Sequence, residues 1–498
     1  MRAPQAGAGL SYRQILRSST VMGSASLLNM AIGLVRTKLF ALWLGPSGVG
    51  LMGVLGTTAD LARSVASLGL NQSGVRQIAE SAAEQDAARM ARTVAALRAT
   101  AYVLGAAGGL ALALASPWVS QLTFGTTDRW PQVAVLGAVI FFRLVADGYG
   151  ALVHGMRRIA DMARADLMAV FFGSVIAVGL VAVLHEDGVA PALLAIAAVS
   201  ALTSWWASRR AGLPRQAVPR AELGAEVRAL LRMGLAMMGG SLLTLGAAWG
   251  VRMVLVRHAG LAEAGLYQSA WTLSGLGVGV ILQAMGADFY PRLVSVARDH
   301  SQINQLVNEQ TQVSLLLAGV GVMATMTLAP VAVPLLYSRA FGGTEEVLRW
   351  LCLGMTLRVL TWPMGYILVA KGASRCFVAT EAVWAAAHVG LAALLVGAFG
   401  LTGAGMAFFG AYAVQAVLLA TLVRRTSGMR WSRANFRTAR VVLPTVVGTF
   451  LALQLLPHDA GLVVGLAATL ALSAWSLRTL ARLVPEGRLA RWLVRRGL

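Results

Sequence analysis

Ionisable side chains stand at helical spacing inside stretches that are otherwise strongly apolar. Asp60 and Arg63 share one such stretch with Thr57, Ser64, Ser67 and Asn71, forming a polar stripe. Arg143 and Asp147 lie one helical turn apart in another, with His154 further along the same side. Arg36 follows Asn29 and Gly33 at helical spacing, with Lys38 close by; Arg252 stands in a later stretch, and Arg358 near the middle of a further one. A charge at the bilayer centre costs about 2.5–3.5 kcal/mol on insertion scales, so such groups face a bundle interior or a watery cavity and mark substrate or ion pathways. Guanidinium groups bind phosphate oxygens bidentately. A cavity with several of them and few acids suits a phosphate-bearing substrate. Arg36, Arg63, Arg143, Arg358 and Arg252 are therefore the candidate substrate contacts. Asp60 and Asp147 are candidates for proton or charge coupling, able to protonate or to re-pair with arginine as a phosphate leaves.

Simpler roles compete with these. Asp60 and Arg63 can pair within their own helix, and Arg143 with Asp147 at i,i+4. Arg36, Arg252 and Lys371 can snorkel to a helix end. Glu381 and His388 read as packing or interface residues. Arg358 is the exception, because Trp362 occupies the place that Asp147 has beside Arg143. An arginine at membrane depth without an acid calls for an anion.

The stretches that position these groups are membrane spans. Of 498 residues 57% are hydrophobic and 13% charged, and the mean hydropathy is +0.69; a soluble chain of this length would need more charge on its surface. Apolar runs of about 20 residues, enough to cross a bilayer core, fall at 18–43, 48–70, 94–119, 131–154, 163–184, 188–208, 229–256 and 262–286. Six more follow at 311–337, 347–370, 376–399, 402–423, 440–457 and 460–483. Basic clusters occupy every second gap: Arg2, Arg13 and Arg17 at the start, Arg76, Arg89 and Arg92 next, then Arg157, Arg158 and Arg164. The same side receives Arg209, Arg210, Arg215, Arg220 and Arg228, and later the tail arginines Arg488, Arg491, Arg495 and Arg496. The alternate gaps carry His185, Glu186, Asp187, Glu345 and Glu346 instead. By the positive-inside rule both termini are cytoplasmic, and the first run reads as a retained span rather than a cleaved signal.

The chain repeats itself. A shift of 215 residues superimposes Gly45 on Gly260, Gly50 on Gly265, Thr57 on Thr272, Arg143 on Arg358 and Gly150 on Gly365. Six spans separate the copies, so the halves have parallel orientation and an expected pseudo-twofold axis along the membrane normal. The expected architecture is an all-α polytopic membrane protein of about fourteen transmembrane helices. Two pseudo-symmetric six-helix lobes, 1–215 and 216–425, would surround a central cavity, with residues 426–498 adding two helices and a basic tail. The copies differ in chemistry: Asp60 maps to Gly275 and Ser64 to Gly279, while the second half keeps Gln268, Thr272 and Gln283.

Several functions are disfavoured. A net charge of +21 does not make a nucleic-acid binder when the basic residues sit in short inter-span loops. Lys38 precedes Leu39 and Lys371 precedes Gly372, so neither belongs to a Walker A loop. Two cysteines, Cys352 and Cys376, suggest neither a disulfide framework nor a zinc site. No cofactor, metal or enzymatic activity is expected.

The segment from Arg36 to Glu80, RTKLFALWLGPSGVGLMGVLGTTADLARSVASLGLNQSGVRQIAE, resembles the N-terminal signature of O-antigen translocases, Wzx-type flippases of the multidrug/oligosaccharidyl-lipid/polysaccharide exporter superfamily. The LGPSGVG turn and the polar span after it carry the likeness. The resemblance implies two lobes working by alternating access without ATP. The implied substrate is an undecaprenyl-pyrophosphate-linked oligosaccharide moved from the cytoplasmic to the periplasmic leaflet of a bacterial inner membrane, with other polysaccharide-assembly membrane proteins as possible company. In the related lipid II flippases cationic residues of the first two spans matter, and these match Arg36 and Arg63. A MATE-like multidrug/cation antiporter is the alternative with the same plan, expected to have twelve spans and an acid-rich cavity. A membrane-embedded polysaccharide polymerase or ligase would need a large periplasmic loop.

Overall fold

The structure, a computed structural model, describes residues 6–212 and 220–483. Arg2, Arg215, the tail arginines Arg488, Arg491, Arg495 and Arg496, and the expected lobe boundary at 215/216 lie outside them. The described residues are helical throughout, apart from short turns, and contain no strand.

In the first compact unit, Met1–Trp249, α1 (Ala6–Ser67) is broken at Gly45 and followed by α2 (Leu70–Ala83), α3 (Ala87–Phe124) and α4 (Trp130–Gly155). Then come α5 (Ile159–Leu184), a 3-10 turn at His185–Gly188, α6 (Val189–Arg210), α7 (Arg220–Met237) and the start of α8 (Gly239–Ser295). The second unit, Gly250–Leu498, holds the rest of α8, broken at Gly260, with α9 (His300–Thr327), α10 (Ala329–Leu336) and α11 (Thr344–Ala370). It ends with α12 (Ser374–Ser427), broken at Gly400, α13 (Arg433–Leu455) and α14 (His458–Leu483).

Among the described residues nine segments are long and apolar enough to cross a membrane, and α9 with α10, bent by 72°, makes a tenth. Four of the nine are each two helices joined at a break, at Gly45, at residues 185–188, at Gly260 and at Gly400. The crossings then number fourteen, in agreement with the hydropathy. The breaks at Gly260 and Gly400 are hairpins. Arg252 reaches Gln268 across the first, and Gln415 reaches Glu381 across the second.

Packing separates an inner from an outer side. In the first unit α4 packs on α3 and α6, and α5 on α1 and α6. Leu70, Ile78, Leu97, Leu152 and Leu230 form a buried core. In the second unit α11 packs on α12 and α9, with α13 and α14 against α9. Leu114, Val183, Leu394, Leu455 and Leu470 are exposed, which suits a surface bathed in acyl chains rather than water. Outside the spans the ends are capped: Asp299 accepts from the amides of Ser301 and Gln302 at the start of α9. The Gln302 bonds hold its carboxyl below the usual carboxylate range.

Two helices depart from the hydropathy reading. The run 229–256 is not one span; the helix ends at Met237 and resumes at Gly239. α7 carries Glu226, Arg228 and Arg232 and lays Leu223, Val227 and Leu230 on the core of α2 and α3. α2, also too polar to span, occupies what reads as a loop.

The duplication persists in the backbone where the residues have diverged. Gly45 (φ 63, ψ −167) and Gly260 (φ 91, ψ 176) break their helices at matched positions. The same 215-residue shift pairs Arg157 (φ 53) with Gly372 (φ 72). It also pairs His185 (φ 52, ψ −126) with Gly400 (φ 56, ψ −137). Left-handed backbone is nearly free for glycine and strained for a residue with a Cβ, so the first half holds strain at Arg157 and His185 that the second half lacks. Because His185 is exposed, His185→Gly is expected to raise stability by about 1 kcal/mol. Gly400→Ala is expected to lower it by a similar amount or more. Thermal unfolding in detergent checks both; a His185→Gly variant no more stable than the parent would contradict the strain.

Candidate functional site

The second arm of α1 and the middle of α4 share two ion pairs that cross from one helix to the other. Arg63 Nη1 lies 2.7 Å from Asp147 Oδ2, and Arg143 Nη1 donates to Asp60 Oδ1. Asn71, at the start of α2, donates from Nδ2 to Asp147 Oδ1 at 3.2 Å. Neither intrahelical pairing, Asp60 with Arg63 or Arg143 with Asp147, forms a salt bridge. Residues one turn apart on a helix run alongside each other, whereas two packed helices let each carboxylate meet a guanidinium head-on. The side chains of the Arg63–Asp147 pair are 33% and 19% exposed. A carboxylate and a guanidinium at membrane depth neutralise each other at a lower cost than either would bear alone.

Beside this pair lies a cavity of about 430 Å³. Arg63, Ser64 and Ser67 of α1 form one wall, and Asn71 and Gln72 of α2 another, with Asp147 behind them. Met238, Ser241 and Leu245, at the junction of α7 and α8, close it. A tight turn makes this geometry possible. Leu68 (φ 47) and Gly69 (φ 71) both take left-handed backbone, turning α1 into α2. α7 seats against the turn so closely that a Cβ on Gly69 would stand 2.2 Å from the Gly234 carbonyl oxygen. Trp249 Nε1 donates to Thr58 Oγ1 at 3.2 Å and ties the first turns of α8 to α1.

The other candidate arginines are spread out. Arg36 donates to Ser174 Oγ at 3.3 Å and borders an apolar cavity of about 410 Å³ lined by Ile32, Val35, Phe171 and Val178. Arg252 is 3% exposed; Nη2 and Nε both donate to Gln268 Oε1 at 2.8 and 3.1 Å, and its guanidinium lies 5.5 Å from the ring centre of Tyr267 and 5.7 Å from that of Trp271. It is packed into the second unit rather than displayed. Arg358 is half-buried on α11, with Nη1 3.9 Å from Met355 Sδ. Among the described residues no carboxylate lies within 4.0 Å of it. Glu381, close enough to feel its charge, accepts from Gln415 at 3.0 Å. His388 is fully buried between Trp384 and Phe408, as a packing residue would be. Lys371 does not snorkel freely; it donates to the Thr426 carbonyl at 3.0 Å and caps the end of α12.

Ser241 and Met238 escape a reading of the sequence because they sit at a helix break inside an apolar run. The same holds for a wide basic cavity of about 1010 Å³, where Arg89, Arg92 and Arg232 meet Glu80 and Glu226. It is assembled from α2, α3 and α7, two of which carry no hydropathy signal.

Paired charges and hydroxyls gathered where α1, α2, α4 and α8 meet, in an all-α fold of repeated spans, define a multi-pass membrane protein with a polar site among its helices. Residues 15–297 match the family described as polysaccharide biosynthesis protein, and the chain belongs to that family. It is 24% identical over 411 residues to the lipid III flippase of Escherichia coli (strain K12), covering 80% of this chain and 96% of that one. Its fold is similar to that of the lipid II flippase MurJ in an inward closed conformation, with a TM-score of 0.70 and 12% identity over 93% of this chain and 99% of the other. An inward-facing multidrug resistance MATE family transporter of the MOP superfamily superposes with a TM-score of 0.67 and 17% identity, over 82% and 98% of the two chains. At these identities the two solved structures speak for the fold alone.

Arg63→Ala and Asp147→Ala are each expected to lower stability by roughly 1–3 kcal/mol, since each leaves a charge without its partner. The double alanine variant should lose clearly less than the sum of the two. A double-mutant cycle followed by thermal unfolding in detergent checks this, and strict additivity would mean that the pair is not coupled.

Proposed function

We propose that this protein is a flippase for an oligosaccharide linked to undecaprenyl pyrophosphate, an O-antigen or related polysaccharide repeat unit. It carries the headgroup by alternating access, without ATP, from the cytoplasmic to the periplasmic leaflet of a bacterial inner membrane, and both its termini are cytoplasmic. The observation that supports this most is the ionic cluster of Asp60, Arg63, Arg143 and Asp147 between two apolar helices, beside a hydroxyl-lined cavity. A purely structural membrane protein has no use for four ionised groups at that depth. The family match and the lipid III flippase relative point the same way.

The arginines divide the work. Arg358, without a carboxylate partner, gains most from a diphosphate, whose oxygens its planar fork can take two at a time. Arg63 and Arg143 already have partners, and a phosphate that draws either away leaves Asp147 or Asp60 to protonate or to find another cation. That exchange couples movement of the headgroup to proton entry or membrane potential. Arg36, beside an apolar cavity, sits where a polyprenyl chain and its charged end could meet protein together. Arg252 holds the second unit together through Gln268 rather than touching substrate.

The cation-antiporter reading draws support from the MATE-like fold. Against it, both acids of the cluster are paired with arginine, so a cationic drug would meet a guanidinium beside each one. In proteoliposomes carrying a labelled lipid-linked oligosaccharide, Arg358→Ala is expected to slow flipping at least tenfold, and Arg358→Lys to retain part of the rate. Native flipping by a well-folded Arg358→Ala variant would remove Arg358 from the phosphate site.

A further inference from the structure

While Arg63 and Asp147 are paired, the cavity beside them favours a neutral group over the pyrophosphate itself. Its two ionised groups, Arg63 and Asp147, lie 2.7 Å apart and largely cancel, so an anion there meets a carboxylate and a cation meets a guanidinium. A neutral ligand meets neither penalty. What the wall offers is a dense set of uncharged hydrogen-bonding groups: Ser64, Ser67, Asn71, Gln72 and Ser241 all line it. The Ser67 and Ser241 hydroxyls donate to the carbonyls of Ser64 and Met238, leaving oxygen lone pairs to accept. Asp147 receives Arg63 on one oxygen and Asn71 on the other, and each oxygen keeps a further lone pair. Two adjacent acceptors of this kind match a pair of neighbouring ring hydroxyls. Val75, Met238 and Leu245 complete the lining with apolar surface for the C–H faces of a ring. At about 430 Å³ the space falls within the range of about 300–1,000 Å³ typical of small-ligand sites.

We infer that this cavity is a sugar subsite, which takes an uncharged pyranose residue of the carried headgroup and reads its hydroxyls through Asp147, Asn71, Gln72 and Ser241. The inference rests on the flippase reading and names the part of the substrate that the first unit holds. Every ring hydroxyl both donates and accepts, and the cavity supplies both kinds of partner. A sugar lacking the expected hydroxyl would leave Asp147 or Asn71 short of a bond in a low-dielectric site, which is how such a site discriminates.

The test uses the full chain with Cys376→Ser, since Cys376 is exposed and Cys352 buried, and with Ser67→Cys as a reporter in the cavity wall. Maleimide labelling of residue 67 is timed in detergent with undecaprenyl pyrophosphate, or with undecaprenyl-pyrophosphoryl glucose, galactose or N-acetylglucosamine. Retained radiolabel measures how much of each lipid is bound. At least one sugar-bearing lipid is expected to slow labelling fivefold or more, and the sugarless lipid to leave it unchanged. Gln72→Ala combined with Ser241→Ala should weaken binding of that sugar-bearing lipid about tenfold without affecting the sugarless one. Equal protection by undecaprenyl pyrophosphate would make the cavity a phosphate site and overturn the inference. Lipids that bind without slowing the label, or an unchanged affinity in the double variant, would overturn the subsite while leaving the flippase reading intact. Failure of every lipid to bind would overturn both.

Discussion

Two charges on α1 and two on α4 can remain ionised at membrane depth only because each finds its counterion on the other helix. That constraint governs the first unit. Asp60 with Arg143 and Arg63 with Asp147 set the register of α1 against α4, because sliding either helix by one turn would strand two carboxylates and two guanidinium groups. A stranded charge in such surroundings costs several kcal/mol, more than most packing differences. The pairing also sets the electrostatics of the neighbouring cavity, whose wall is polar yet nearly neutral. A plain count of arginines at membrane depth misses that distinction.

Much of the architecture was legible in the residues, and what was not has definite physical reasons. Apolar runs mark spans because a backbone in lipid must satisfy its own hydrogen bonds, and fourteen crossings emerge from either route. Gly45 and Gly260 were visible as a repeat because both positions kept the residue that left-handed backbone favours. Arg157 opposite Gly372, and His185 opposite Gly400, were invisible as matches, since an identity comparison cannot see that two different residues share one backbone conformation. α2 and α7 were missed because hydropathy responds to helices surrounded by lipid, and these lie with only one side against the core. The charged residues themselves were readable, but their partners were not. Spacing along one helix suggested Asp60 with Arg63 and Arg143 with Asp147, and only the packing of α1 on α4 exchanges them.

The repeat carries geometry further than it carries chemistry. Arg143 and Arg358 coincide under the 215-residue shift, yet Asp147 becomes Trp362 and Asp60 becomes Gly275. The second unit thus keeps the arginine and gives up both acids. Trp362 in turn stacks among Phe289 and Tyr366, so the space that a carboxylate occupies in one half is filled by an aromatic cluster in the other. A single ancestral helix pair has become a neutral, hydroxyl-lined wall in one unit and a guanidinium without a carboxylate in the other. For an amphiphile with an anionic link and an uncharged glycan, that is a division by chemical type.

A carrier must also let go. A site that held a diphosphate with four free arginines would bind tightly and release slowly, because its exit leaves four cations without a counter-charge in a poorly solvated site. Charges that already have partners behave differently: in the exchange proposed above, Arg63 would pass from Asp147 to a phosphate and back, with a guanidinium paired at both ends. Only the carboxylate is left to account for, and a proton can neutralise it. The net difference between the two states is then a small one, of the order at which a ligand's differential affinity can shift a population. Crossed ion pairs of this kind are strongly missed when one partner is removed, and they make the proposed exchange reversible.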